Sequence, residues 1–219
     1  AFYDGSNHLV ELTQSSVSTF LRCPQRFVLH YMMRLRYRSI SIPLLVGSAV
    51  HAGLEIFLDP ANKPDLNKPS LMKKALDACD AHFVKLESRP DLTLGKEDKI
   101  NHARASANAC LQAWYIVHAD TISTWDILHS EWNIRAPKGT TLSSELIHRM
   151  AGKLDGMIRT ADGQRRLVEH KTRSNLYSLD TTSLELDFQT SYYLLLWYSA
   201  IRMQTFADGT EPTGFIYDA

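Results

Sequence analysis

The chain has 219 residues, 44% of them hydrophobic, enough to bury a substantial core as one domain or one domain with an insertion. Its 24 basic and 24 acidic residues balance to a formal net charge of zero, which excludes a global field for attracting a polyanion, so any nucleic-acid surface must be a local patch. Three cysteines, Cys23, Cys79 and Cys110, form neither an even disulfide framework nor a CxxC pair. The longest apolar run, Tyr192 to Tyr198, is far short of the ~20 residues that span a bilayer, and no signal-peptide pattern opens the chain. A soluble cytoplasmic protein is expected, and the stop within a strand-like segment, Gly214 to Asp218, suggests a trimmed chain.

In chain order, Leu9 to Leu12 is short and apolar, and Ser15 and Ser16 offer N-cap oxygens to a helix carrying Val17, Phe20 and Leu21 on one side. Cys23-Pro24 interrupts it. Proline is tolerated as a first helical residue, so a second helix is expected to restart there and run through Phe27, Val28, Tyr31 and Met32. Between Glu11 and Glu55 there is no acidic residue, while Arg22, Arg26, Arg34, Arg36 and Arg38 alternate with Phe20, Phe27, Tyr31 and Tyr37. Arginines among aromatics suit phosphate contacts and base stacking, although the same pattern also fits a basic, solvated helix face.

Pro43 to Phe57 reads as a helix with Leu45, Ala49 and Ala52 or Ile56 inward, and with small residues at Gly47, Ser48 and Gly53 that permit close approach. His51 sits on it. Asp59 to Pro69 is a Pro-, Asn- and Asp-rich loop. Leu71 to Leu86 and Lys96 to Ala119 are amphipathic helices, with Leu76, Cys79, Phe83 and Leu86, and Ala103, Ala107, Cys110, Leu111 and Trp114, as inward residues. Cys79 and Cys110 are read as core residues, not ligands.

Strand character begins at Trp125, with Trp125 to Arg135 and Glu145 to Thr160 as two strands around a Pro-Lys-Gly loop. Glu131 on the first is an acid of a kind that ordinarily faces solvent, although it would also suit a site. The stretch Gly152 to Thr172 carries the strongest signal. Leu154, Met157, Ile158 and then Leu167, Val168 flank a polar knot whose Asp162-Gly163 pair is a hairpin signature. A turn centred near Asp162 sets positions summing to about 324 or 325 opposite one another, so Asp155 meets Glu169 or its neighbour, with Cβ atoms roughly 5 Å apart. Glu169 and Lys171 then share a strand face, while His170 points away and leaves its carbonyl at the same height. Two acids and a lysine on one face are costly unless a divalent cation with oxygen ligands neutralises the acids. The bland alternative is a surface hairpin with solvated charges. After a polar loop, Arg173 to Asp180, the helix Leu184 to Met203 has an almost all-round apolar middle, which implies burial against the sheet. Gln189 and Tyr193 lie one turn apart on it.

Taken together, Cys23-Pro24 with Arg26-Phe27, then Gly47-Ser-Ala-Val-His51, Gly152-Lys-Leu-Asp155, Glu169-His-Lys171-Thr172 and Gln189 with Tyr193 resemble the RecB-type branch of the PD-(D/E)XK nuclease superfamily, which includes CRISPR-adaptation and phage exonucleases. The resemblance runs from about Ser16 to Trp197. It implies an α/β fold: a restriction-endonuclease-like core with a central mixed β-sheet flanked by helices, and a helical N-terminal portion. The whole of 1–219 would be a single nuclease domain, 1–120 mainly helical and carrying His51, 121–219 holding the sheet. By the same resemblance His51, Asp155, Glu169 and the backbone carbonyl of His170 bind one or two Mg²⁺ or Mn²⁺ ions, and Asp155, Glu169 and Lys171 are catalytic. Gln189 with Tyr193 would complete the family's last motif, and these two, with Arg22 and Arg26 of the basic stretch, are expected to contact DNA. Several relatives use the cysteine before that proline as the first of four iron-sulfur ligands, the others lying near the C-terminus. No cysteine follows Cys110 here, so no cluster is expected unless those ligands lie beyond Ala219.

The implied activity is metal-dependent hydrolysis of DNA phosphodiester bonds, most simply as an exonuclease on single strands or free ends, since no separate sequence-reading module is apparent. A non-catalytic DNA-binding or complex-assembly module on the same fold is the alternative. The chain has no Walker A motif, so a helicase or recombination partner would supply any unwinding.

Overall fold

The computed structural model describes residues 9–35, 39–66, 68–90, 97–135, 147–172, 188–202 and 213–218. The elements run β1 (Leu9–Leu12), α1 (Gln14–Arg22), α2 (Pro24–Phe27), α3 (Ile42–Phe57), α4 (Pro69–Glu87), α5 (Glu97–Ser123), β2 (Asp126–Arg135), β3 (Ile147–Arg159), β4 (Arg165–His170), α6 (Phe188–Arg202) and β5 (Gly214–Asp218). A five-residue π-helical turn, Val28–Met32, follows α2, and a 3₁₀ helix, Pro60–Asp65, lies within the expected Asp59–Pro69 loop. The result is a mixed α/β fold with a central mixed sheet flanked by helices. Strand order is β1-β3-β4-β5, with β2 also pairing with β3. The β1–β3 and β4–β5 pairs are parallel and the β3–β4 hairpin is antiparallel.

The chain divides into two compact units, each built from interleaved segments: Ala1–Arg36, Trp132–Leu154 and Tyr177–Pro212 in the first, and Tyr37–Glu131, Asp155–Leu176 and Thr213–Ala219 in the second.

In the second unit α3 packs on both α4 and α5. Leu45, Ala49, Val50, Leu54 and Phe57 of α3 meet Leu71, Ala75, Cys79 and Phe83 of α4 and Ala103, Ala107 and Leu111 of α5, and Ile158 and Val168 of the hairpin join the same cluster. Each large apolar side chain so buried stabilises the fold by about 1.5–3 kcal/mol before entropy is counted. Phe57 stacks on Trp114 and Tyr115, with ring centroids 5.8 and 5.1 Å away. The inward stripe of α3 centres on Val50, Gly53 and Leu54, whereas Ala52 and Ile56 are half-buried. Cys110 is exposed, contrary to its reading as a core residue. The buried stripe of α5 steps by four through Ala103, Ala107 and Leu111, and Cys110 lies one residue, about 100° of helix, off Leu111.

The hairpin turn follows its chemistry. Gly163 has φ +80, a conformation open to glycine at little cost, and its N–H donates to the Thr160 carbonyl at 2.8 Å. The register pairs Gly156 with Val168, Met157 with Leu167 and Ile158 with Arg166, positions that each sum to 324.

In the first unit α1 begins at an N-cap that is Thr13, not Ser15 or Ser16. Ser16 is the N3 partner of a capping box: its N–H donates to Thr13 Oγ1 at 3.3 Å and its hydroxyl accepts from Thr13 N–H at 2.9 Å. Pro24 opens α2 at its first turn, as expected. Helix α6 is anchored by the buried Tyr192, whose hydroxyl donates to the carbonyls of Leu12 in β1 and Ala151 in β3. Tyr192, Tyr193, Leu196 and Trp197 are buried, but Leu195 and Tyr198 are exposed, so α6 is not covered all round. The Arg173 to Asp180 loop and residues 184–187 and 203 of the expected last helix lie outside the described residues.

Candidate active site

The second unit brings together all five residues that the sequence nominated for metal binding and catalysis. The hairpin register, continued one step past Gly156 and Val168, sets Asp155 opposite Glu169. Asp155 Oδ2 accepts the backbone N–H of His170 at 2.9 Å, which fixes the carboxylate at the root of the ribbon. The same oxygen lies 3.6 Å from His51 Nδ1, so the imidazole of α3 reaches the hairpin acid. Gly47, one turn before His51, makes that approach possible. A Cβ there would stand 2.8 Å from Thr172 Oγ1, just past the end of β4.

Glu169 is 3% exposed. Its carboxylate forms an ion pair with Lys171 Nζ two residues on, as expected for side chains sharing a strand face. Burial pushes the Glu169 carboxyl up to about 7, and the Asp155 charge adds to the rise against the opposing pull of Lys171. Lys171 keeps part of its side chain in solvent, so its ammonium can meet a ligand entering the site. The His170 side chain turns away from the acids, as the strand alternation requires. It is buried, with its ring edge-to-face to Trp114 at 5.5 Å and 6.4 Å from the His51 ring. Trp114 thus props the residue whose backbone N–H holds Asp155.

Among the described residues, the metal-ligating side chains that converge are His51, Glu131 and Asp155, with one donor atom of each within 4.8 Å of the others. Donors on opposite sides of a divalent cation stand about 4–5 Å apart when bonds run near 2.1–2.4 Å, so this set fits such an ion. An imidazole nitrogen with carboxylate oxygens is a donor set for a borderline or hard divalent metal. In the sequence Glu131 reads as an acid of the kind that ordinarily faces solvent. It sits in β2 with φ +50, a backbone state that alternation patterns do not encode.

The residues nominated for DNA contact belong to the first unit. Arg22 and Arg26 are exposed on α1 and α2. Gln189 is half-buried on α6, and Tyr193 is buried one turn on. Tyr193 packs against Gly152, where a Cβ would come within 3.0 Å of its ring and 2.8 Å of Leu196. That contact gives the Gly-Lys-Leu-Asp segment its glycine. Tyr193 also lines an open cavity of about 370 Å³ with Glu11, Gln14, Arg135 and Lys153. Arg135 Nε donates to Glu11 Oε1 across it at 3.1 Å.

No helix among the described residues is long and apolar enough to cross a membrane. The chain matches none of the curated proteins with which it was compared. A family model for the PD-(D/E)XK nuclease superfamily does match it, over residues 11–214, nearly the full length and including every residue of the site. With that match and an acid–acid–lysine hairpin, the chain belongs to the PD-(D/E)XK nuclease superfamily, a group of metal-dependent nucleases.

Proposed function

We propose that this chain is a DNA exonuclease of the RecB-type branch, hydrolysing phosphodiester bonds with Mg²⁺ or Mn²⁺ as cofactor. The observation that carries the reading is the junction at Asp155: one carboxylate oxygen touched by the His170 N–H and faced by His51, with the Glu169–Lys171 pair beside it. A hairpin of solvated charges would not bury Glu169 or draw a helical imidazole to its root.

A phosphodiester resists hydrolysis because its anionic oxygens repel nucleophiles and its alkoxide leaves poorly. A divalent cation held by Asp155, His51, Glu169 and the His170 carbonyl would supply Lewis-acid polarisation of the phosphate and a lowered pKa for the attacking water. Lys171, an amine that is ordinarily charged at neutral pH, is unsuited to begin as a base. It orients the nucleophile and stabilises the negative charge that grows on the phosphoryl oxygens. Glu169 holds that ammonium in place through their ion pair. Arg22 and Arg26, exposed in a stretch without acids, contact backbone phosphates, and Gln189 with Tyr193 steadies the strand. The preference for ends rests on the RecB-type motif order. A helicase or recombination partner in the cytoplasm would present such ends.

The test is incubation of end-labelled single- and double-stranded DNA, linear and closed-circular, with Mg²⁺, Mn²⁺ or EDTA. Metal-dependent release of short products from linear DNA alone is the expected result. Cleavage of closed circles would overturn the exonuclease assignment. The absence of cleavage with either metal would favour a binding or assembly module. Lys171→Met should retain Mn²⁺ binding yet lower turnover by about two orders of magnitude or more, and full activity in that variant would remove Lys171 from the mechanism.

A further inference from the structure

We propose that Glu131 is itself a ligand of the cation, and that it contributes more of the cation's affinity than Glu169 does. The inference rests on the reading of this site as metal-dependent and redistributes the ligands within it.

The geometry comes first. Donor atoms of His51, Glu131 and Asp155 all lie within 4.8 Å of one another, and Glu169 is not part of that group. The two hairpin acids are also differently engaged. Asp155 is held by a backbone N–H and faces an imidazole, whereas Glu169 is paired with the Lys171 ammonium. Moving Glu169 fully onto a cation would loosen its ion pair with the lysine that meets the scissile phosphate. Glu131 stands in the donor group with His51 and Asp155, so it can serve the cation while Glu169 serves Lys171.

The backbone of β2 aims Glu131 at this place. Glu131 has φ +50 inside β2, outside the extended region of a regular strand, so its side chain is not bound to the strand's simple alternation. Residues held in such sparsely populated backbone states cluster at active sites. Nearby, Gly156 of β3 faces the His129 carbonyl of β2, so the two strands run side by side next to Asp155. The resulting donors, one imidazole nitrogen and two carboxylates, suit Mn²⁺ better than Mg²⁺, which favours all-oxygen octahedra rich in water.

Mn²⁺ binding to the full chain, read from the loss of the free-ion signal in electron paramagnetic resonance, tests this without any activity assay. Glu131→Gln and Asp155→Asn should each weaken binding at least about ten-fold, and Glu169→Gln less than either. Retention of wild-type affinity in Glu131→Gln, or a greater loss in Glu169→Gln than in Glu131→Gln, would overturn the proposal. Unchanged affinity in Asp155→Asn as well would defeat the metal-dependent reading itself, a distinguishable outcome. Thermal melts separate a ligand from a structural residue. For a ligand, Glu131→Gln melts near the wild type in EDTA and gains less from Mn²⁺. A structural role would lower the EDTA melt and leave the Mn²⁺ gain intact, which would count against the proposal. A measurement on the unaltered protein covers the case of a poorly folding variant. Carbodiimide labelling of Glu131 should fall on saturation with Mn²⁺ while that of Glu87, which pairs with Arg104, does not, and unchanged labelling of Glu131 would refute its ligation.

Discussion

The tip and the root of the β3–β4 hairpin each carry an acid, and the ribbon treats the two in opposite ways. At the tip, Asp162 lies in open solvent. A hydrogen bond from the Thr160 hydroxyl, with another from the Gln164 N–H, holds its carboxyl below the usual range. At the root, Glu169 is buried beside Asp155, and its carboxyl is pushed up to about 7 despite Lys171. The tip acid is comfortable as an anion and serves the turn. The root acid is held in a buried charge cluster, the placement on which the proposed metal-dependent site rests.

The largest effect expected from this contrast is on turnover. Asp155→Asn at the root removes both the His170 N–H acceptor charge and the partner of His51, and should lower DNA cleavage by about two to three orders of magnitude. Asp162→Asn at the tip keeps an oxygen for Thr160 and Gln164 and should change cleavage by less than about two-fold. Initial rates on a labelled linear duplex check both. Comparable losses from the two variants would dissolve the distinction between the ends of the ribbon.

A second difference appears in the pH dependence of stability without metal. The Glu169 carboxyl rises from an ordinary 4.5 to about 7 on folding. Between those values the folded state holds a proton that the unfolded state has released, so stability falls as pH climbs from about 4.5 through 7. The shift corresponds to a loss on the order of 3 kcal/mol. In EDTA, the melting temperature of the wild type should therefore drop between pH 5 and pH 7.5, and Glu169→Gln should flatten that slope. Equal slopes in the two proteins would show that burial of Glu169 carries no net electrostatic cost.

Much of this was legible in the residues. Asp162-Gly163 between apolar flanks set both the turn and the register, and the register alone placed Asp155 opposite Glu169. The stripe Ala103, Ala107 and Leu111 declared the inner face of α5. What escaped had no local signature. Glu131 stands at a positive φ within β2, and such a backbone state leaves no mark on the composition of a strand. The N-cap of α1 is ambiguous in the sequence because Thr13, Ser15 and Ser16 all offer a hydroxyl, and the capping box decides among them only in three dimensions. In α6 an unbroken apolar run conceals which side faces outward, so the exposure of Leu195 and Tyr198 could not be read from it. Cys110 differs from its buried neighbour Leu111 by one step around the helix, finer than a small apolar residue can signal.

The smallest effect belongs to the tip and concerns the backbone alone. A Cβ at Gly163 would meet nothing within 4 Å, so its φ of +80 is the whole obstacle to a side chain there. Gly163→Ala should cost about 1 kcal/mol in a denaturant melt, the price of a left-handed residue, and Gly163→Asn less, because asparagine tolerates that region. Neither should alter cleavage, since the turn's hydrogen bonds end at Gln164 and the ladder of Gly156 to Arg159 with Arg165 to Val168 separates it from the acids. A turnover loss in Gly163→Asn with stability preserved would mean that the tip itself touches DNA, and the two ends of the ribbon would then share one function.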